Sequence, residues 1–239
     1  MFPMQDLNPR RRTPILVYAL IALNVIVFIW ELSFSPEQLE QIFRELSVVP
    51  ANVTRNPFSL ETFLDITRSM FFHGGYDHIF GNMLYLWLFG DNVEDRLGGI
   101  LFLILYFVSG FVAAIAQVLI SPESTIPLVG ASGAIAGVLG SYLILFPGVK
   151  VRGIVPLGRV ASMAEWPAWM VLGFWFVLQL INGFASLGAD TAYGGVAFFA
   201  HVGGFIAGMV LTWLFMGLVP QPPPEARRQL LYQRAARQR

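Results

Sequence analysis

A run of small residues, Gly130-Ala131-Ser132-Gly133-Ala134-Ile135-Ala136-Gly137, sits inside a stretch that carries no charge from Ser124 to Val149. Pro127 and Gly130 disfavour helix at its front and Pro147 stops one at its back, so a helix is predicted from Ser132 to just before Pro147. About 15 residues at a rise of ~1.5 Å cover roughly 22 Å, whereas the hydrocarbon core of a bilayer is about 30 Å thick. A helix this apolar belongs in a membrane interior, yet it is too short to cross alone. Its first turn is therefore expected below the membrane surface. Irregular backbone at that depth is tolerated only where it lines a protein cavity or water. Ser132, at the mouth of this sunken helix, is a candidate nucleophile.

The rest of the chain agrees with a membrane setting. Of its 239 residues, 56% are hydrophobic and 13% charged, about half the charge of a typical soluble domain. The absence of cysteine excludes disulfides and thiolate metal sites, and three histidines leave little for any other metal centre. A formal net charge of zero argues against a nucleic-acid partner. Hydrophobic segments fill the chain from Ile15 to Val219 without a long polar linker, so one polytopic domain, residues 14–219, is expected. A basic segment at 1–13 and a Pro/Arg-rich tail at 220–239 flank it.

Six spans are read in order. Arg10-Arg11-Arg12 precede an uncharged run from Thr13 to Trp30, which is a retained first span because no small-residue cleavage site follows. The polar stretch from Ser33 to Asp77 holds one amphipathic surface helix, Pro36 to Leu46, with Leu39, Ile42, Phe43 and Leu46 at helical spacing. A second span runs from His78 to about Gly98, a third from Ile100 to Ile120 and a fourth is the short Ser132 helix. The fifth lies near Pro167 to Leu187 and the sixth near Val196 to Leu218. The class is all-α. Twelve of the fifteen Lys and Arg fall at the two termini and in the loops that such a path puts with them, which predicts cytoplasmic termini. Helices two, four and six then begin at the external face, and His78, Ser132 and His201 share one layer.

Those three residues make a chemistry. A serine hydroxyl needs a base, and imidazole is suited to that task near neutral pH. His201, in Phe199-Ala200-His201-Val202-Gly203-Gly204-Phe205, is an ionisable group inside an apolar span, which points to function. Gly204 and Gly208 follow it on the same face, and Gly133 and Gly137 give the fourth helix the matching pattern, so the two backbones can approach closely. His78 and Asn82 share a face of helix two and can donate, with the Ser132 amide at a helix start, to a developing oxyanion. No acidic residue lies inside a span where it would orient His201, so a Ser-His dyad is predicted, its imidazole held by packing. Each residue taken singly has an ordinary structural reading: Ser132 and the glycines as helix packing, His73 as a loop residue, and Asn24, Gln117 and Asn182 as interhelical hydrogen bonders.

Together the stretches Phe72-His73-Gly74-Gly75-Tyr76-Asp77-His78-Ile79-Phe80-Gly81-Asn82-Met83, Val93-Glu94-Asp95-Arg96-Leu97-Gly98, Gly130-Ala131-Ser132-Gly133 and Ala200-His201-Val202-Gly203-Gly204 with Gly208 resemble the rhomboid family of intramembrane serine proteases. The resemblance covers about residues 66–216. It implies a six-helix core, Ser132 as nucleophile, His201 as base, and His78, Asn82 and the Ser132 amide as the oxyanion hole. It further implies Glu94 and Arg96 as a structural cap at the cytoplasmic end of helix two, and no metal or cofactor. Two features differ from some bacterial members. No Trp occurs between Ser33 and Asp77, and Ala136 stands where an aromatic is placed one turn after the serine. Phe198 and Phe205 are the candidates to support the imidazole instead.

The expected activity is that of an endopeptidase of a bacterial cytoplasmic membrane. It would cut transmembrane segments of other membrane proteins near their external ends, admitted by movement of helix five or of the 188–197 loop, whose Gly188, Gly194 and Gly195 suit a mobile cap. The competing readings are a catalytically silent relative that binds membrane clients and a small transporter. Both serine and histidine are present, against the first; charged or discontinuous midplane sites are sparse, against the second.

Overall fold

The computed structural model describes residues 2–157, 160–187 and 196–219; the glycines at 188, 194 and 195 and the 220–239 tail lie outside the described residues. The order is β1 (Phe2–Asp6), α1 (Ile15–Glu31), α2 (Pro36–Leu46), α3 (Pro50–Arg55), α4 (Leu60–Ser69), α5 (Tyr76–Leu97), α6 (Gly99–Ile120), α7 (Ser132–Leu145), β2 (Lys150–Leu157), β3 (Val160–Pro167), α8 (Ala168–Ser186) and α9 (Phe198–Met216).

The helix around which the others pack is α7. Nine consecutive residues, Ala134 to Tyr142, are buried, the signature of a helix that is apolar all round and enclosed on every side. It contacts α5, α6, α8 and α9. Small side chains set how close these neighbours come. A methyl added at Gly204 would run into the Gly133 carbonyl, one at Gly208 into the Gly137 carbonyl, and one at Gly140 into the Phe205 carbonyl. Across the other face of α7, a methyl on Gly137 would strike the Ser109 side chain of α6. Helices α7 and α9 thus touch backbone to backbone, the geometry that glycine one turn apart permits. Phe89, Phe102, Leu105, Tyr106, Leu139 and Leu172 close the core around this seam.

Three helices, α6, α8 and α9, are long and apolar enough to cross a membrane, and α1 and α7 are shorter apolar helices. The outer faces of the bundle stay greasy: Ile100, Leu119, Phe174, Ile181 and Trp213 are all exposed. A continuous apolar exterior of this kind calls for lipid rather than water. The chain is an integral membrane protein.

At the end of the bundle remote from Ser132, polar groups lock the elements together. Glu94 of α5 accepts from the first free amides of α1, Leu16 N–H at 3.1 Å and Val17 N–H at 2.8 Å. A carboxylate there satisfies helix-start donors and complements the macrodipole. Arg10 and Arg11 reach Asp91 at 3.3 Å and Asp95 at 3.4 Å. Arg96 is buried beside them.

The expectation of an all-α chain is corrected here, because a three-stranded antiparallel sheet in the order β1-β2-β3 lies at this end. The segments read as a basic arm and a basic loop pair because they alternate. Val151 is buried, whereas Arg152 faces out and meets its cross-strand partner Glu165 at 2.7 Å. Residues in such register pack one face and solvate the other. Asp6 anchors β1, accepting from Asn92 Nδ2 and Tyr142 Oη, each at 2.8 Å. A second correction concerns residues 33–77, which hold three helices rather than one surface helix. Ser35 and Ser59 cap the first and third, and Pro50 opens the second, each a strong helix-start signal.

Candidate active site

Ser132 occupies the first turn of α7, where backbone amides have no intrahelical acceptor and the macrodipole is positive. The chain reaches it in extended form. Leu128 N–H bonds the Val48 carbonyl at 2.7 Å and Gly130 N–H the Ser69 carbonyl at 2.8 Å. Gly130 then turns with φ +125°, a conformation that suits glycine. A β-carbon at that point would sit 2.7 Å from the His78 imidazole. The turn is therefore both a backbone requirement and a close approach.

The α7–α9 seam brings the hydroxyl to the imidazole: Ser132 Oγ and His201 Nε2 are 2.8 Å apart. The other ring nitrogen, Nδ1, lies 2.8 Å from Gln179 Oε1 on α8. Trp175, one turn earlier on the same helix, lays its ring over the imidazole at 5.8 Å between centroids and 34° between planes. Phe205 stands behind Trp175 at 5.9 Å. The ring supporting His201 is thus Trp175, and the suggestion of Phe198 or Phe205 is corrected. Ala136 and Trp175 line the same cavity as His201.

On α5, His78 Nδ1 accepts from Gly74 N–H at 3.3 Å. That assigns its proton to Nε2, the atom facing Gly130. Asn82, one turn on, is buried, and its Nδ2 meets no acceptor among the described residues. Two donors are thus presented to the space in front of Ser132. The loop that feeds them in is fixed from α1: the buried Glu31 carboxylate accepts His73 N–H at 3.0 and 3.3 Å. His73 itself is fully enclosed, with Nδ1 3.1 Å from the Phe71 carbonyl and its ring 5.2 Å from that of His78. Burial, with the neighbouring His78 adding to it, holds the His73 imidazole down at about 4, so it is neutral at physiological pH.

A cavity of about 760 Å³ joins these groups; His78, Asn82, Ser132, Ala136, Trp175 and His201 line it. Its volume lies within the range of ligand-binding clefts. Of the polar residues read as helix glue, Gln117 accepts from Ala200 N–H at 3.3 Å and Asn24 donates to its own helix at Leu20 O, 2.8 Å away. Asn182 lies exposed on α8.

Gln179 and Glu31 are the residues that sequence reasoning missed. Gln179 is the buried one of two amides in an apolar span, one turn from Trp175, and that spacing was the available signal. Glu31 reads as the polar end of a span, and nothing local announces that its carboxylate turns back to hold a loop 42 residues on.

A family model for the Rhomboid domain matches residues 61–218. Over 228 residues the chain is 29% identical to Rhomboid protein 1, mitochondrial, of Saccharomyces cerevisiae, covering 93% of this chain and 58% of that protein. It is 27% identical over 221 residues to Rhomboid protease AarA of Providencia stuartii, covering 86% of this chain and 73% of that one. With Rhomboid protease GluP of Bacillus subtilis it shares 30% identity over 136 residues, 57% of this chain and 23% of that protein. The chain therefore spans little more than half the length of the yeast relative. With the domain model spanning α4 to α9 and every site helix inside it, the chain belongs to the rhomboid family.

Proposed function

We propose that the protein is an intramembrane serine endopeptidase that cuts transmembrane segments of other membrane proteins. The observation that carries this reading is the 2.8 Å approach of Ser132 Oγ to His201 Nε2 inside a cavity that also presents His78 and Asn82. In this mechanism Ser132 Oγ attacks the scissile carbonyl carbon while His201 Nε2 takes the hydroxyl proton. The carbonyl oxygen becomes an oxyanion, held by His78 Nε2–H, Asn82 Nδ2–H and the Ser132 amide. Collapse breaks the C–N bond, the imidazolium returns its proton to the departing amine, and an acyl-serine remains. Water, deprotonated by His201, then hydrolyses the ester and restores the hydroxyl. Removing one such oxyanion donor typically costs about 10²–10³-fold in kcat.

In this reading α1, α5, α6, α7, α8 and α9 are the six spans of one membrane domain at 14–219, with cytoplasmic segments at 1–13 and 220–239. The α7 helix begins below the external surface of the cytoplasmic membrane. Excess Lys and Arg at the termini and the β2–β3 region support that orientation. Glu94 and Arg96 serve structure at the cytoplasmic end. The test is cleavage of a reporter transmembrane substrate by purified protein in detergent. Wild type cuts it and Ser132→Ala does not; cleavage at the wild-type rate by Ser132→Ala overturns the assignment.

A further inference from the structure

We propose that Gln179 is a positioning residue for the reaction, a neutral third member that selects the productive tautomer of His201. The inference rests on the serine-protease reading above. To accept the Ser132 proton, His201 must keep Nε2 bare and carry its own proton on Nδ1. Packing alone does not choose between the two tautomers, because an imidazole ring has nearly the same shape in both. A hydrogen-bond partner at Nδ1 does choose, and Gln179 Oε1 lies 2.8 Å from it.

An amide can present either an oxygen or an NH₂ group, so the orientation of Gln179 matters. Its Nε2 points to the carbonyl of Trp175, one turn back, at 3.5 Å. That contact turns the oxygen toward His201. An oxygen can only accept, so Nδ1 carries the proton and Nε2 is left free for Ser132 Oγ at 2.8 Å. The reversed amide would donate to Nδ1, place the proton on Nε2 and abolish the base. Gln179 is buried, so water does not compete for either role.

The choice of amide over carboxylate fits its setting in an apolar span. An ionised Asp or Glu there would carry the desolvation cost of a buried charge, whereas an amide has none and still accepts. Trp175 and Gln179 are one turn apart on one face of α8. One helix thus supplies both the ring that fixes the imidazole plane and the oxygen that fixes its proton.

The experiment compares Gln179→Leu and Gln179→Glu with wild type on the reporter substrate, with nitrogen NMR of isotopically labelled histidine as the second readout. Gln179→Leu removes the acceptor at similar volume. We expect kcat to fall about tenfold with KM unchanged, and the His201 nitrogen shifts to move from the Nδ1–H form to a mixture. Gln179→Glu, assayed at a pH alkaline enough to ionise the new side chain, is an acceptor only, holds the Nδ1–H form and recovers kcat to within about threefold of wild type at the same pH. Unchanged kcat and unchanged nitrogen shifts in Gln179→Leu overturn the proposal. So does equal loss in both variants with the Nδ1–H form intact in each, which marks Gln179 as packing only. Ser132→Ala separates the two readings: if it cleaves like wild type the serine-protease assignment fails, and if it is inactive while Gln179→Leu is fully active, only the role of Gln179 falls.

Discussion

Gly130→Ala is the perturbation whose consequence follows most directly from the geometry. The new methyl carbon would lie 2.7 Å from Cε1 and Nε2 of His78, whereas non-bonded heavy atoms settle near 3.5 Å. Either the turn or the imidazole must yield by about 0.8 Å, the difference between those two separations. If the turn yields, Ser132, two residues on, moves with it. If the imidazole yields, His78 gives up its bond from Gly74 N–H and swings its Nε2–H out of the cavity. Both routes displace a reacting group or a donor by close to 1 Å, which costs about 10²-fold in rate. The backbone adds a second penalty, since φ +125° is unfavourable to any residue with a β-carbon by about 1–3 kcal/mol. The assay is kcat and KM on a reporter transmembrane substrate in detergent, with the thermal midpoint measured on the same sample. We expect kcat lower by about two orders of magnitude, KM little changed and a midpoint reduced by about 5 °C. Gly173→Ala is the control, because a methyl on that glycine of α8 meets nothing within 4 Å. A Gly130→Ala protein that is folded and has kcat within threefold of wild type would show that the turn does not hold His78 in place for the proposed reaction.

Two further outcomes concern stability. Asp6→Ala leaves Asn92 Nδ2 and Tyr142 Oη without the carboxylate that each meets at 2.8 Å, at a cost of about 3 kcal/mol; the thermal midpoint should drop while kcat at low temperature stays within twofold, and an unchanged midpoint would show that β1 is not anchored by this side chain. His73 gives a pH dependence. Its imidazole titrates at about 4 when buried against an ordinary 6.5, so the unfolded chain takes up the proton first. The His73 contribution to stability is present above pH 6.5 and is lost as pH falls toward 4, amounting to about 2 kcal/mol between pH 7 and pH 5. Replacing His73 with Gln should flatten that part of the midpoint-versus-pH curve, and an equally steep curve in the variant would assign the proton uptake to another group.

The helices were legible because length and polarity mark them independently of their neighbours. Ser132 at the start of α7, Gly98 before α6 and the run ending near Pro147 are local signals, and the helix bounds fall where they point. The sheet was not legible, since β1 and β2 are separated by more than a hundred residues and neither is apolar enough to announce a partner. Arg152 reads as a loop charge until Glu165 is seen across from it at 2.7 Å. The same limit hid α3 and α4, whose amphipathic faces are short and pack against the bundle rather than forming one long surface stripe.

The site divides along a similar line, and the division has a physical meaning. Ser132, His201, His78 and Asn82, which line one cavity, stand out in sequence because each is a residue type that an apolar span otherwise avoids. The support of His201 could not, because supporting an imidazole demands only an acceptor and a flat ring, and many side chains supply either. Acidic residues of α1 and α5 bond elsewhere, Glu31 to the His73 amide and Glu94 to the start of α1, and the acceptor that stands 2.8 Å from Nδ1 of His201 is an amide. Charge makes an orienting group conspicuous in sequence, and a membrane interior penalises charge. A histidine held within such a span therefore favours the less conspicuous partner, and Gln179 with Trp175 on α8 meets both needs from one helical face.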